Sequence, residues 1–407
     1  MSIDVRWLKP QIERVTEMAI ATQTQRAQSV ATLAQFFAPE FDLQAWQATV
    51  DAAQAADAKL NAAQFVPNEV ANGHYGFGED PSNYVLLCSD GSQILPDRHK
   101  PALFGLIHVA CVCFVYGVTP TAALEAATEF CEQREVRLLG EDALYDDNGE
   151  LKPTGEISSE RDFLEIEVLA ERAAAFQRAG VRVVALADGA IMPFSLLNDR
   201  MPEKMALEQA QRIGAALDKL RDCGAMIAGY IDRPNSNALL KTIALGLNAP
   251  IKPVRGNAQW AGVFDRQLIE PILPPSRRTA LFDPNWQSIG AQRLAYAGHG
   301  MRCCYANLAS DLLAEEADII GSQFLHPEIV RLEMPAWCAD EVATLLAIVQ
   351  RHSKMGNGYP FCLKAAHENA VITKDDQGEV EYALLHALTQ RGLLSATSAK
   401  QSAKDLH

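Results

Sequence analysis

A chain of 407 residues has the length for two average domains, or for one large domain with an appendage. Hydrophobic residues make up 48% of it and charged residues 21%, the balance of a folded globular protein with a sizeable core rather than of a disordered chain. The formal net charge of -15 argues against a protein that coats nucleic acid indiscriminately, but leaves room for a local basic surface.

The N-terminus carries Asp4, Glu13 and Glu17 and no compact apolar run, so it is not read as a signal peptide and the chain is read as cytoplasmic. Val5, Leu8, Ile12, Val15 and Met18 recur at three- and four-residue steps, and Ala52 to Ala63 continues in the same manner after Pro39. Two or three helices are therefore predicted up to about residue 65, in a packing or partner-docking role outside the catalytic fold. After a Gly/Asn/Pro-rich bridge over 68–83, Tyr84 to Ser89 reads as a buried strand that ends at Asp90-Gly91-Ser92. Leu103 to Tyr116 supplies one long strand or a pair. The stretch from Pro101 to Leu124 has no Asp, Glu, Lys or Arg, yet Gly105, His108, Gly117 and Pro120 fit a strand and turn better than a membrane span, which needs ~20 predominantly apolar residues.

Asp146-Asp147-Asn148-Gly149 is the strongest turn signal of a polar segment over 140–153. Ser159 and Asp162 have capping-box spacing, which predicts a helix from about Ser159 to Ala179, stopped by Gly180. Val181 to Ala187 is a second buried strand, ending at Asp188-Gly189. A helix from about Pro202 to Cys223 leads to a third strand, Ala225 to Ile231. Pro-rich loops occupy 250–290, strands return near Met301–Asn307 and Ile329–Met334, and helices fall near 339–353, 359–372 and 379–391. Strands interleaved with helices give an α/β fold. None of the nine cysteines forms a Cys-x-x-Cys pair, so buried free thiols are expected, with neither zinc nor disulfides.

Two features carry chemistry. Asp90 and Asp188 each follow an apolar strand and precede a glycine, which puts a carboxylate at the carboxyl edge of a sheet, where open α/β folds keep their sites. On neighbouring strands the two would share a divalent cation, because two close anions need a metal or a proton to compensate them. A hard ion such as Mg²⁺ or Mn²⁺ suits carboxylate oxygens. A third acid is expected from the helix between them: Glu167 and Glu171 are four apart and share a face, while Glu165 points elsewhere. His367 lies eight residues after Tyr359, two turns along if the helix is continuous, and could ligate a metal or handle protons. The second feature is a basic window. From Arg233 to Arg302 there are nine Lys/Arg (Arg233, Lys241, Lys252, Arg255, Arg266, Arg277, Arg278, Arg293 and Arg302) against three acids. Arg277 and Arg278 are expected to contact phosphate and to steepen the salt dependence of binding.

Asp90-Gly91-Ser92-Gln93-Ile94-Leu95-Pro96, Leu186-Ala187-Asp188-Gly189, Ala228-Gly229-Tyr230-Ile231, Arg331-Leu332-Glu333-Met334-Pro335, and Tyr359-Pro360 with Ala366-His367-Glu368 occur in that order. Together they resemble the NurA family over about residues 82 to 400. The resemblance implies an RNase H-like mixed sheet flanked by helices in a nuclease domain over 81–400, with residues 1–80 as a helical extension. It further implies a homodimer enclosing a DNA channel, and manganese-dependent (magnesium also possible) single-strand endonuclease and 5′–3′ exonuclease activity on single strands and duplex ends. A hexameric HerA-type ATPase is the implied partner. By this carry-over Asp90, Glu167 and Asp188 are metal ligands, with Glu165 or Glu171 able to serve in place of Glu167, and with Tyr359 and His367 as active-site companions and His367 a further ligand. The chain has no Gly-x-x-x-x-Gly-Lys-[Ser/Thr] loop, so ATP hydrolysis would come from a partner. Two rivals stand beside this reading. One is an actin- or sugar-kinase-like ATPase, but Asp188-Gly189-Ala190 lacks the hydroxyl such a phosphate turn uses. The other is a catalytically silent subunit capping a ring ATPase, which would need no intact acid set.

Overall fold

The computed structural model describes residues 5–56, 62–100, 102–117, 121, 125, 134–146, 149–177, 180–198, 200–247, 263–309 and 328–393. The chain divides into two compact units, and each draws on separate stretches of sequence. The first takes Met1–Phe77, Ile231–Gln287 and Met301–Leu332; the second takes Gly78–Tyr230, Ser288–Gly300 and Glu333–His407.

The second unit is built on a mixed sheet. Its elements are β1 (Tyr84–Ile94), β2 (Gly105–Tyr116), β3 (Glu135–Leu139), α1 (Thr154–Phe176), β4 (Val183–Asp188), α2 (Glu203–Asp222), β5 (Met226–Ile231), α3 (Val342–Met355), α4 (Phe361–Ala370) and α5 (Lys374–Gln390). β1, β2 and β3 form an antiparallel meander, while β4 lies parallel to β1 and β5 parallel to β4. The strand order is therefore β3-β2-β1-β4-β5. Only a crossover can join parallel neighbours, and α2 supplies the one between β4 and β5. β1 and β4 read as near-continuous apolar runs because both are buried: Tyr84 to Cys88 and Val183 to Ala187 are all solvent-excluded.

Helix α1 packs on this sheet through Ile157, Leu164 and Val168, which meet Ile107 and Val109 of β2 and Leu144. These residues lie seven and four apart, one side of a 3.6-residue helix. Burying each is worth about 1.5–3 kcal/mol. The helix begins at Thr154, five residues before the predicted start. Ser159 is interior, and its hydroxyl donates to the Gly155 carbonyl rather than capping an end. Such back-bonding competes with a capping role at the same residue. The end predicted at Ala179 lies outside the described residues, as do Asp147 and Asn148 of the predicted turn.

β1 also departs from expectation. It runs unbroken from Tyr84 to Ile94, paired with β2 at every position, so Asp90 sits within a strand rather than at its end. Asp-Gly marks a turn only where no neighbouring ladder holds the backbone extended, and here β2 does so on one side throughout.

In the first unit the N-terminal helices Lys9–Ala34 and Leu43–Ala56 share a core with Ala238–Gly246 and Asp265–Ile269. Leu33, Phe36 and Trp46 are buried there with Leu239, Ile243, Phe282, Tyr305 and Ile329. The Trp46 ring lies where a side chain on residue 246 would project, and its indole N–H donates to the Ile243 carbonyl (3.3 Å). The antiparallel strands of this unit include Gln64–Phe65, His74–Gly76, Arg277–Thr279, Phe282–Asp283 and Met301–Asn307. Among the described residues no helix is long and apolar enough to cross a membrane.

Candidate active site

The register of the sheet sets the site. β1 and β4 pair in parallel from Val85↔Val183 through Ser89↔Ala187, and one more step of that register sets Asp90 beside Asp188. Neighbouring strands lie ~4.8 Å apart, and residues level across a parallel pair point to the same face. Two aspartates distant in sequence thus stand side by side on one face of the sheet.

Each is held by a residue from the segment that leads into and forms α4. The Tyr359 hydroxyl donates to Asp188 Oδ2 (2.6 Å), and His367 Nδ1 donates to Asp90 Oδ2 (2.7 Å). Asp90 Oδ1 accepts from the Gly91 N–H (2.8 Å). With Nδ1 committed to a carboxylate, the imidazole presents Nε2 outward, and His367 is itself exposed. Tyr359 precedes α4, whose N-cap is Pro360, so tyrosine and histidine are not two turns of one helix. The Tyr359 phenol is raised above its ordinary value by burial first and by the Asp188 charge second, so it stays a donor. Its ring stands edge-on to Tyr230 of β5 (centroids 5.5 Å). Tyr359→Phe removes the donor without the ring. Activity should fall about 10–100-fold, as for loss of a group that orients a first ligand; the change in stability should be near 1 kcal/mol, read from urea unfolding.

Of the three glutamates open as third acid, Glu165 is the one set beside the aspartates, while Glu167 is engaged elsewhere. Glu167 is taken by Arg212 of α2, whose Nη2 donates to Oε2 (2.8 Å) and whose Nε bonds the other oxygen. Glu160 binds the same guanidinium. Glu165 instead lies on the sheet side of α1 and is 6% exposed. The face shared by Glu167 and Glu171 is not the one that meets β1; Glu165 lies on the stripe of Leu169, Ala173 and Phe176, all buried. An acid placed in an apolar stripe was the available signal.

Gly91 is why Glu165 can approach. A Cβ on residue 91 would stand 2.7 Å from Glu165 Oε1 and 2.8 Å from Arg161 Cγ. Successive residues of a strand face opposite sides. The missing side chain therefore leaves a gap in the sheet beside Asp90, and the Glu165 carboxylate occupies it from the α1 side. Gly229 has a parallel duty, since a Cβ there would meet the Gly189 carbonyl oxygen at 2.5 Å and block the turn that follows Asp188.

Burial pushes the Glu165 carboxyl well above the usual carboxylate range; Arg161 opposes that, while Asp162, Asp90 and Asp188 add to it. Arg161 Nε is 3.2 Å from Glu165 Oε1, an ion-pair distance without hydrogen-bond alignment, and that oxygen has no hydrogen-bond donor. Arg161 was not singled out from sequence, where an arginine one turn before a glutamate looks like an ordinary surface pair. Among the described residues no group of three or more His, Cys, Asp or Glu stands ready-clustered for a metal, because Glu165 leans toward Arg161 while the aspartates bond Tyr359 and His367. The donor chemistry nonetheless suits a hard cation: two aspartates whose charges raise the proton affinity of a third carboxylate, Glu165, which has a buried oxygen lacking a donor.

The basic window needs a correction. Arg278 is 5% exposed, its guanidinium bidentate to Glu69 (2.9 and 2.5 Å) and set over the Tyr75 ring (4.7 Å). Breaking such a buried pair costs about 3–5 kcal/mol, so its charge serves the fold of the first unit rather than a phosphate. Arg302 pairs with Asp283 (2.6 Å). Arg277 is exposed. Lys252 and Arg255 lie outside the described residues.

A mixed sheet carrying paired aspartates on adjacent parallel strands, with a buried glutamate set against the neighbouring glycine, defines an α/β protein with an acidic site of the kind that phosphodiester-cleaving enzymes use. The NurA domain model matches residues 89–372, well over half of the chain, and the chain belongs to the NurA family, a family of nucleases. No curated protein matches it.

Proposed function

We propose that the protein is a divalent-cation-dependent DNA nuclease that processes DNA ends. The observation that carries this reading is the side-by-side placement of Asp90 and Asp188 with Glu165 in the gap at Gly91. The meander followed by two parallel strands supports an RNase H-like core. Asp90, Asp188 and Glu165 would hold manganese or magnesium. Such an ion supplies Lewis acidity and a water that is acidic enough to react at neutral pH.

The chain's own residues do the rest. His367 and Tyr359 fix the orientation of the two aspartates, as outer partners of ligating carboxylates do. His367 Nε2, directed outward, is placed to accept or return a proton at the substrate's edge. A homodimer and a HerA-type ATPase that feeds DNA complete the proposal. With labelled single- and double-stranded DNA, cleavage should appear with Mn²⁺ or Mg²⁺, vanish in EDTA, and rise when a HerA-type ATPase and ATP are added. Cleavage unaffected by EDTA would sink the reading.

A further inference from the structure

Arg161 is a cation set among the acids that the proposed chemistry does not employ. Its stem crosses β1 at Gly91, with Cγ and Cδ 2.8 and 3.0 Å from where a Cβ would stand. Its head reaches Asp162 (Nη2 to Oδ1, 2.7 Å) and Glu165 (3.2 Å), and the Asp90 charge also acts on it. Two observations show that the contact with Glu165 is held by charge alone. The Nε edge makes no aligned hydrogen bond, and Glu165 Oε1 is buried without a donor. The side chain is 30% exposed, so the guanidinium is not sealed beneath the surface.

We propose that Arg161 is a phosphate-binding residue that doubles as the counter-ion of the acid cluster while no divalent cation is bound. This rests on the nuclease reading and deepens it. An acid cluster without its metal must be neutralised by protons or by a nearby cation. Arg161 is the cation that acts on Glu165, against the three acids that raise that carboxyl's proton affinity. A divalent ion held by these carboxylates would make it redundant and would repel it. The freed guanidinium has a planar fork of donors that matches a phosphate in bidentate fashion, which an ammonium does not. Arg161 and the metal therefore compete for Glu165 and then cooperate on the nucleic acid.

The test uses the full chain with Arg161→Met and Arg161→Lys. Calorimetric titration with Mn²⁺ in the absence of DNA should show severalfold tighter binding to Arg161→Met than to the wild type, because the resident cation is gone. Arg161→Lys, which keeps the charge, should bind Mn²⁺ like the wild type. DNA affinity in Ca²⁺ should fall about tenfold in Arg161→Met, with the salt slope reduced by about one. It should fall partly in Arg161→Lys at an unchanged slope. Equal or weaker Mn²⁺ binding by Arg161→Met overturns the counter-ion role, and wild-type DNA affinity in both variants overturns the phosphate contact. If Arg161→Met does not fold, wild-type DNA affinity in Arg161→Lys overturns the phosphate contact by itself. A wild-type protein that binds neither Mn²⁺ nor DNA refutes the nuclease reading itself, an outcome distinct from these.

Discussion

Asp90→Asn and Asp188→Asn are each expected to lower DNA cleavage by about a thousand-fold or more while leaving the protein folded. Asparagine has the shape of aspartate, so the strand pairing of β1 and β4 is untouched. What it lacks is the charge that a divalent ion and a polarised water require. The losses should not add in the double variant, because residues acting on one ion fail as a unit. Stability should change little: each substitution weakens a hydrogen bond to His367 or Tyr359, worth about 1 kcal/mol, but also removes an anion that disfavours ionised Glu165. Melting curves of the variants in EDTA separate a chemical defect from a folding defect. Full cleavage by Asp90→Asn would remove that residue from the mechanism.

The second large effect separates two glutamates that lie two positions apart. Glu165→Gln should lower cleavage about a hundred-fold or more, whereas Glu167→Gln should leave it within about threefold. Their effects on stability run the other way. Glu167 forms a partly exposed ion pair with Arg212, and its loss should cost about 0.5–1 kcal/mol. Glu165 is a buried carboxyl whose folded pKa is raised above its unfolded value. Such a group favours the folded state fully below the unfolded pKa of about 4.3, and that contribution is lost as pH rises through the folded value. In EDTA, wild-type stability should therefore decline with pH across that window, and Glu165→Gln should flatten the decline. If Glu167→Gln abolishes cleavage and Glu165→Gln does not, the assignment implied by the family resemblance stands instead.

The strands, most helices and the two aspartates were legible because their signals are local. Apolar runs ending in Asp-Gly, and three- and four-residue apolar steps, need no knowledge of what packs where. Which helix face turns inward is not local. Glu167 and Glu171 announce a shared face by their spacing, but only the packing of Ile157, Leu164 and Val168 on β2 decides that Glu165 meets the sheet. The same limit hid Arg278, whose partner Glu69 lies some two hundred positions upstream, and gave Asp90 the look of a turn residue when an antiparallel neighbour holds it extended. Tyr359 and His367 were found by their order along the chain, not by any pattern showing that each meets a different aspartate.

The first unit's patchwork origin has a consequence for how the protein is made. Leu33, Phe36 and Trp46 emerge from the ribosome early, yet the apolar residues that cover them span Leu239 to Ile329. At about 5–20 residues per second, translation takes on the order of tens of seconds to deliver those partners. Throughout that interval the nascent helices carry an unsatisfied greasy face, a natural client surface for chaperones.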